Sequence, residues 1–226
     1  MQQFEASHAV EKQETRRGEI RMFFELGSEE EQQLKVRVAD FNGLVRILIH
    51  PDYEKTHIRD SSKDSEEWRK KLKTVENAIQ KIFASDPQKT PPVLIFEEQP
   101  QIVGFKERLQ GKIKNELYLV PTYNETSTPK LTPPETPSGK EPSQSTSWEE
   151  FSKKLQALGV TKILIGGMWF IVAEKGENIP GWLKSVESEK NKKLLYCVGI
   201  AVEQLSKQFS IEISNISFPH GRKEMV

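Results

Sequence analysis

The sequence predicts an α/β protein, a three-layer sandwich around a mostly parallel sheet of five or six strands. Three observations lead to this prediction. Short apolar runs of strand length recur along the chain, beginning with 44–50 (LVRILIH). Between them lie segments whose apolar residues repeat every three or four positions, as on one face of a helix. Strands that are apolar on both faces are typical of parallel sheets with helices packed on each side.

The first half of the chain alternates strand, helix, strand, helix, strand. The apolar runs 44–50, 91–98 and 116–123 are the predicted strands. A long amphipathic helix separates the first two, and a short helix within 101–113 separates the second from the third. This order predicts right-handed crossovers within one sheet. The apolar face of the long helix comprises Trp68, Leu72, Val75, Ile79, Ile82 and Phe83.

The second half continues this alternation. A helix is predicted over 147–159, with Ser147 as its N-cap and Gly159 just beyond its last turn. It leads directly into an apolar run, 160–167 (VTKILIGG), which we expect to form a strand that ends on its two glycines.

Two further segments complete the predicted sheet. A helix in 196–209 leads into a last strand over 210–219, whose looser alternation is typical of a sheet edge. The segment 33–41 (QLKVRVADF) is a candidate for a sixth strand.

One α/β domain is therefore predicted over 33–219. Residues 1–32 are polar with little sustained period, and we expect them to form a loosely attached arm, while 220–226 form a short tail. The segment 124–147 contains five prolines and ten Ser or Thr residues, too little apolar surface to offset the entropy of ordering it. It is predicted to be a mobile loop within the domain, either a tolerated insertion or a lid or partner-binding segment.

Charge and cysteine content exclude several classes of protein. The 33 basic and 33 acidic residues cancel, so the chain lacks the positive charge that nucleic-acid binding requires. One cysteine cannot form an internal disulfide, and the N-terminal residues contain no apolar run of signal-peptide length. No window is apolar enough for a membrane span. We therefore expect a cytoplasmic protein that binds neither nucleic acid nor membrane.

A family resemblance follows from two stretches, LQALGVTKILIGG and CVGIAVEQLSKQFSIEISN. A helix ends in Gly159, a strand closes on Gly166, and Cys197-Val198 opens the helix that leads to the last strand. From Leu44 to Pro219 this order resembles the isochorismatase-like cysteine hydrolases. The resemblance implies a three-layer α/β fold with its active site at the carboxyl ends of the parallel strands. It also implies a cysteine nucleophile, at Cys197.

The family's cysteine works with an Asp after the first strand and a Lys near the end of a later one. Here His50 occupies the Asp position and Asp52 follows two residues later, so His50 and Asp52 are the candidate bases for Cys197. Thr122 stands where the Lys is expected, and the nearest lysine is Lys130 in the predicted loop.

Gly166 and Gly167 are candidates for an oxyanion or ligand-binding turn, because a glycine pair allows backbone amides to approach a ligand closely. The segment after them carries Trp169, Phe170 and Trp182, which pack in the core or else cover the site or another subunit of a homo-oligomer. His50, Asp52 and His57 do not match a strong metal-binding spacing, so no metal and no cofactor is predicted.

The thiol of Cys197 has two interpretations. A helix N-terminus and nearby lysines would lower the pKa of a nucleophile. However, Cys197 precedes Ile200, Ala201 and Leu205 at helical spacing, which places it on the apolar face of its helix. The sequence therefore favours a diverged isochorismatase-like domain that has lost the hydrolase chemistry and binds a small molecule or protein partner. The alternative is a cysteine hydrolase that cleaves a small amide-type substrate through Cys197.

Overall fold

A computed structural model describes residues 18–51, 66–109, 111–123, 127–131, 144–174, 185–187 and 192–220. The strands are β1 (Ile20–Met22), β2 (Leu44–Ile49), β3 (Val93–Glu98), β4 (Leu117–Thr122), β5 (Lys162–Glu174), β6 (Ser185–Glu187), β7 (Lys192–Leu195) and β8 (Ser210–His220). The helices are α1 (Ser28–Asp40), α2 (Glu66–Phe83), α3 (Ile102–Leu109), α4 (Gln144–Ala157) and α5 (Tyr196–Leu205).

Six strands form a parallel sheet in the order β1-β4-β3-β2-β5-β8. From the centre, β2 leads through α2 to β3 on one side, and β5 leads through α5 to β8 on the other. The strand order reverses between β2 and β5, which is the position where doubly wound α/β folds bind their ligands. The predicted α/β class with a mostly parallel sheet is confirmed.

The core consists of two apolar layers, one on each face of the sheet. On β2, Ile47 and Ile49 belong to one layer and Leu48 to the other, as the period of a strand requires. Aromatic rings thicken the first layer, where Phe96 stacks on Trp148 with 6.0 Å between ring centroids. Both faces of β2 are buried, which explains why its sequence is apolar without alternation.

The segment 33–41 is helical, so the prediction of a sixth strand there is wrong. Leu34 and Val38 are both buried and lie one helical turn apart, whereas Val36 between them is 52% exposed. The helix begins beside Gly27, whose backbone N–H donates to Glu30 Oε2 at 2.8 Å. Alternating apolar residues in a short segment fit a strand and a helix equally well, and the acidic first turn favours the helix.

The sixth parallel strand comes instead from the region predicted to be a polar arm. β1 pairs with β4, and Phe23 directly after it is completely buried. Residues 18–32 thus belong to the domain, while 1–17 lie outside the described residues. A strand of three residues has too few positions to show a period, so the sequence pattern could not reveal it.

Part of the predicted mobile loop is packed against β4. The Tyr123 N–H donates to Thr128 O at 3.1 Å, and the Lys130 N–H donates to Pro121 O at 2.6 Å. Leu131 at the end of this segment is 5% exposed. Residues 127–131 of the predicted loop are therefore attached to the end of β4 by backbone hydrogen bonds and one buried apolar side chain, and the mobility of the loop stays a prediction.

The helix α4 begins at Gln144, three residues before the predicted N-cap. Ser147 lies inside the helix and is completely buried beside Trp148, so its assignment as a cap is wrong. Tertiary packing of Trp148 outweighs the preference of a Ser-rich segment for loops. At the other end, Gly159 has φ +83, which confirms it as the left-handed residue that follows the helix.

The strand predicted to end on two glycines continues to Glu174. Its first half lies between β2 and β8, and its far half, which includes Trp169, pairs antiparallel with β7. β6 then pairs antiparallel with β7. Trp182 lies outside the described residues. Among those that are described, no helix combines the length and apolar character of a membrane span.

Truncation of Leu131 tests whether the segment 127–131 is part of the folded core. We expect Leu131→Ala to lower the free energy of unfolding by about 2–4 kcal/mol, because a buried leucine leaves a cavity. The control is Val103→Ala, at a side chain that is 67% exposed, and its expected effect is within about 0.5 kcal/mol. Urea denaturation measures both, and equal effects would show that 127–131 does not contribute to the core.

Candidate functional site

The carboxyl ends of β2, β3, β4 and β5 meet at one edge of the sheet, called the carboxyl edge below. His50 follows β2, Glu97 and Glu98 end β3, and Thr122 ends β4. Cys197 is the second residue of α5. The parallel topology therefore assembles side chains that are far apart in the sequence.

His50 lies at the switch point in an unusual backbone conformation. It is completely buried and has φ +45, a left-handed value that few residues other than glycine adopt. Its N–H donates to Phe96 O at 2.8 Å, and its Nε2 lies 3.3 Å from the hydroxyl oxygen of Thr122. Because β3 separates β2 from β4, the imidazole reaches across the end of β3. Such strained backbone positions concentrate at functional sites.

Cys197 lies in the first turn of α5 and packs against the apolar layer that contains Val198 and Ala201. Its residue surface is partly exposed. Even so, burial of the thiol, together with the negative charge of Glu98, raises the pKa of Cys197 to about 12. The thiol is therefore protonated at neutral pH. Its packing against the apolar layer places Cys197 on the apolar face of its helix.

Two neighbouring glutamates occupy the end of β3 and were not predicted as site residues. Glu97 is 1% exposed and Glu98 is 6% exposed. The pKa of Glu97 is raised to about 8, chiefly because burial disfavours the ionised carboxylate; the hydrogen bond from the Glu98 backbone N–H opposes this rise, and the charge of Glu98 adds to it. The sequence does contain a signal for them, since consecutive charged residues directly after a buried strand must lie at the sheet edge.

Gly166 and Gly167 lie within β5 and not in a turn. Gly167 pairs with Ile49 on β2 and with Ser217 on β8. Its φ is +133, and a Cβ placed there would come within 2.2 Å of Ile49 O. The glycine is thus required for the close approach of two central strands.

The structure describes only some of the remaining predicted residues. Asp52 and His57 lie outside the described residues, and Trp169 lies in the far half of β5. Lys130 is fixed to the end of β4, with its Nζ 5.6 Å from the centre of the Tyr123 ring. Within the described ranges, no three His, Cys, Asp or Glu side chains are arranged to hold a metal ion.

Comparison with protein-family models, curated protein sequences and solved structures finds no match to this chain. The class of protein is therefore defined by the fold alone, a Rossmann-like α/β domain with a parallel sheet and helices on both faces. Its topology places Ile49 beside Gly167 at the switch point, and His50 directly follows Ile49.

Gly167→Ala tests the close approach of β2 and β5. We expect a loss of roughly 3–5 kcal/mol in the free energy of unfolding, from the steric overlap with Ile49 and the left-handed φ. Gly111→Ala is the matched control, because Gly111 has φ +72 with nothing within 4 Å of an added Cβ; it should cost about 1 kcal/mol. Chemical denaturation compares the two, and similar losses would contradict the steric contribution.

Glu97→Gln tests whether the buried carboxyl makes stability depend on pH. The folded state holds this proton up to about pH 8, whereas the unfolded state releases it near pH 4.5. The unfolded chain thus binds fewer protons between these values, so stability is greatest below this window and falls as pH rises through it.

In Glu97→Gln this decline should be smaller than in the wild type, and the variant should be the more stable protein at pH 8. Denaturation midpoints measured at pH 5 and pH 8 give the comparison. Glu107→Gln, at an exposed residue of α3, should retain the wild-type decline. A Glu97 variant with that same decline would contradict the raised pKa.

Proposed function

We propose that this chain is a small-molecule-binding α/β domain, similar to the isochorismatase-like hydrolases in its order of elements but without their cysteine chemistry. The ligand binds at the carboxyl edge, beside His50. The observation that carries the proposal is the environment of Cys197, whose thiol is buried next to the negative charge of Glu98.

The binding position is supported by the topology. Open α/β sheets bind ligands outside the carboxyl ends of their strands, where the strand order reverses. In this sheet that position lies between β2 and β5, and His50 directly follows β2. The left-handed backbone of His50 is a strained conformation. Residues that keep such a conformation concentrate at active sites and ligand-binding sites, so the strain favours a ligand contact here.

A small molecule fits this site better than a protein partner does. His50 and Thr122 are completely buried, and Glu98 is nearly so. Small-molecule sites are concave and bury most of their ligand, whereas protein interfaces require broad accessible surfaces. The large exposed apolar side chains of the described residues, Val36, Val103 and Ile213, are scattered over α1, α3 and β8.

Loss of the hydrolase chemistry is supported by electrostatics. A cysteine nucleophile acts as the thiolate and needs a positive or basic neighbour to form it. Burial of Cys197 has the opposite effect, and the negative charge of Glu98 adds to it. The alternative, a cysteine hydrolase with His50 or Asp52 as its base, requires a thiol that ionises near neutral pH.

Alkylation of Cys197 by iodoacetamide distinguishes the two functions. Because the chain has one cysteine, mass spectrometry of the intact protein reports this thiol alone. At pH 7 we expect the folded protein to remain unmodified while a denatured sample reacts at the rate of a free thiol, a difference of at least about 100-fold.

Cys197→Ala serves as the blank for alkylation elsewhere. The variant also tests the proposal directly, since a binding domain should retain its ligand without the thiol. Rapid alkylation of the folded protein at pH 7 would favour the hydrolase and contradict the proposed loss of chemistry.

A further inference from the structure

The pairing of β5 is interrupted just beyond the switch point. Pairing with β2 ends at Gly167, opposite Ile49, and pairing with β7 begins at Ile171, opposite Leu195. β2 and β7 lie on the same side of β5, because β8 pairs with both halves of β5 and occupies the other side. Residues 168–170 pair with neither β2 nor β7, and the space beside them is called the β5 gap below.

The β5 gap lies at the carboxyl edge and is bordered at both ends. His50 directly follows the paired end of β2, and β7 ends at Leu195, where α5 begins with Tyr196. At about 3.3 Å per residue, the distance along β5 from Gly167 to Ile171 is roughly 13 Å. The gap therefore has room for about three residues of extended chain.

The backbone around the β5 gap departs from regular strand geometry. Gly167 has φ +133 and His50 has φ +45. On its other side, β5 shifts register against β8 between Ile165 and Gly167 and again between Gly167 and Phe170. Bulges and strained backbone positions are both concentrated next to binding sites and active sites. The interrupted pairing thus coincides with independent signs of a functional site.

We infer that the ligand of the carboxyl edge is a short extended peptide of about three residues, which pairs with the backbone of 168–170 in the β5 gap. A strand segment without a neighbour presents backbone N–H and C=O groups that need partners. Among the described residues, no strand supplies such partners on this side of 168–170. The inference rests on the proposed function and specifies the chemical class of its ligand.

The hydrogen-bonding groups of a strand edge select a peptide over a simple ion. Each residue that faces the gap offers one N–H donor and one C=O acceptor. A carboxylate only accepts hydrogen bonds and an ammonium group only donates them, so either would leave part of the edge unpaired. An extended peptide carries both groups at the same repeat as the strand and can pair with all of them.

The borders of the gap favour a short peptide over a strand of a partner protein. Peptides that add to the open edge of a sheet can extend along its whole length. In the β5 gap, β2 ends at one border and β7 at the other, and both strands occupy the line that the peptide would follow. A longer extended chain would overlap one of them.

Acetyl-trialanine N-methylamide, a peptide without charged ends, is the probe for this inference. It should bind with a Kd on the order of 1 mM, as expected for a few backbone hydrogen bonds, and NMR titration measures the affinity. The matched control carries N-methyl groups in place of its backbone N–H groups. It should bind at least about tenfold more weakly, because it keeps the length and neutrality of the peptide but lacks the donors.

Amide hydrogen exchange locates the bound peptide. At ten times the Kd, exchange of at least one backbone amide of Met168, Trp169 or Phe170 should slow by about tenfold, because only the unbound fraction of the protein exchanges there. The amide of Val103, in the first turn of α3, serves as the control and should exchange at the same rate with and without peptide.

Three outcomes would overturn the inference. They are equal binding of the peptide and its N-methylated analogue, absence of binding by the peptide, and slow exchange of all three amides of 168–170 in the free protein. The last would show that other residues of the chain fill the β5 gap. Rapid alkylation of Cys197 would instead contradict the proposed function, whatever the result with the peptide.

Discussion

The close approach of β2 and β5 at Ile49 and Gly167 is the constraint on which the rest of the structure depends. These two strands begin the two halves of the sheet, one leading to β3 and β4 and the other to β8. A side chain at Gly167 would overlap the backbone of Ile49, so only glycine allows the strands to pair in register here. The pairing creates the switch point, and His50 is the first residue beyond it.

Buried polar groups at the carboxyl edge lower the free energy of unfolding. A protonated Glu97, a left-handed His50 and a thiol beside Glu98 are each less favourable than apolar residues of similar size. The two apolar layers, which include aromatic contacts such as the 5.1 Å pair of Phe96 and Phe151, offset this cost. Glu97 and His50 lie at the ends of strands and Cys197 lies in the first turn of a helix, which is the distribution expected of a binding site on a rigid sheet.

The sequence predicted those parts of the fold that repeat a pattern over many residues. The buried parallel strands and the helices between them have either continuous apolar character or a helical period, so they were identified. The three-residue β1 has too few positions for a period, and the alternation of Leu34, Val36 and Val38 fitted a strand although the segment is helical. Residues 127–131 were missed because hydrogen bonds of the backbone, which any sequence can make, fix them to β4.

For the candidate site, the sequence identified residues with distinctive chemistry but did not predict their burial or their neighbours. His50 and Cys197 were identified, but their burial and neighbours are set by contacts between distant segments, such as the 3.3 Å approach of His50 to Thr122. Glu97 and Glu98 resemble ordinary surface glutamates until the strand before them is known to be central.

The pKa of Cys197 depends on opposing influences from its surroundings. In the first turn of α5 the helix dipole favours a thiolate, yet desolvation and the charge of Glu98 together raise the pKa of Cys197 to about 12. The partial charges at a helix terminus stabilise a thiolate only modestly, whereas desolvation of the buried thiol is the largest opposing effect and the negative charge of Glu98 adds to it.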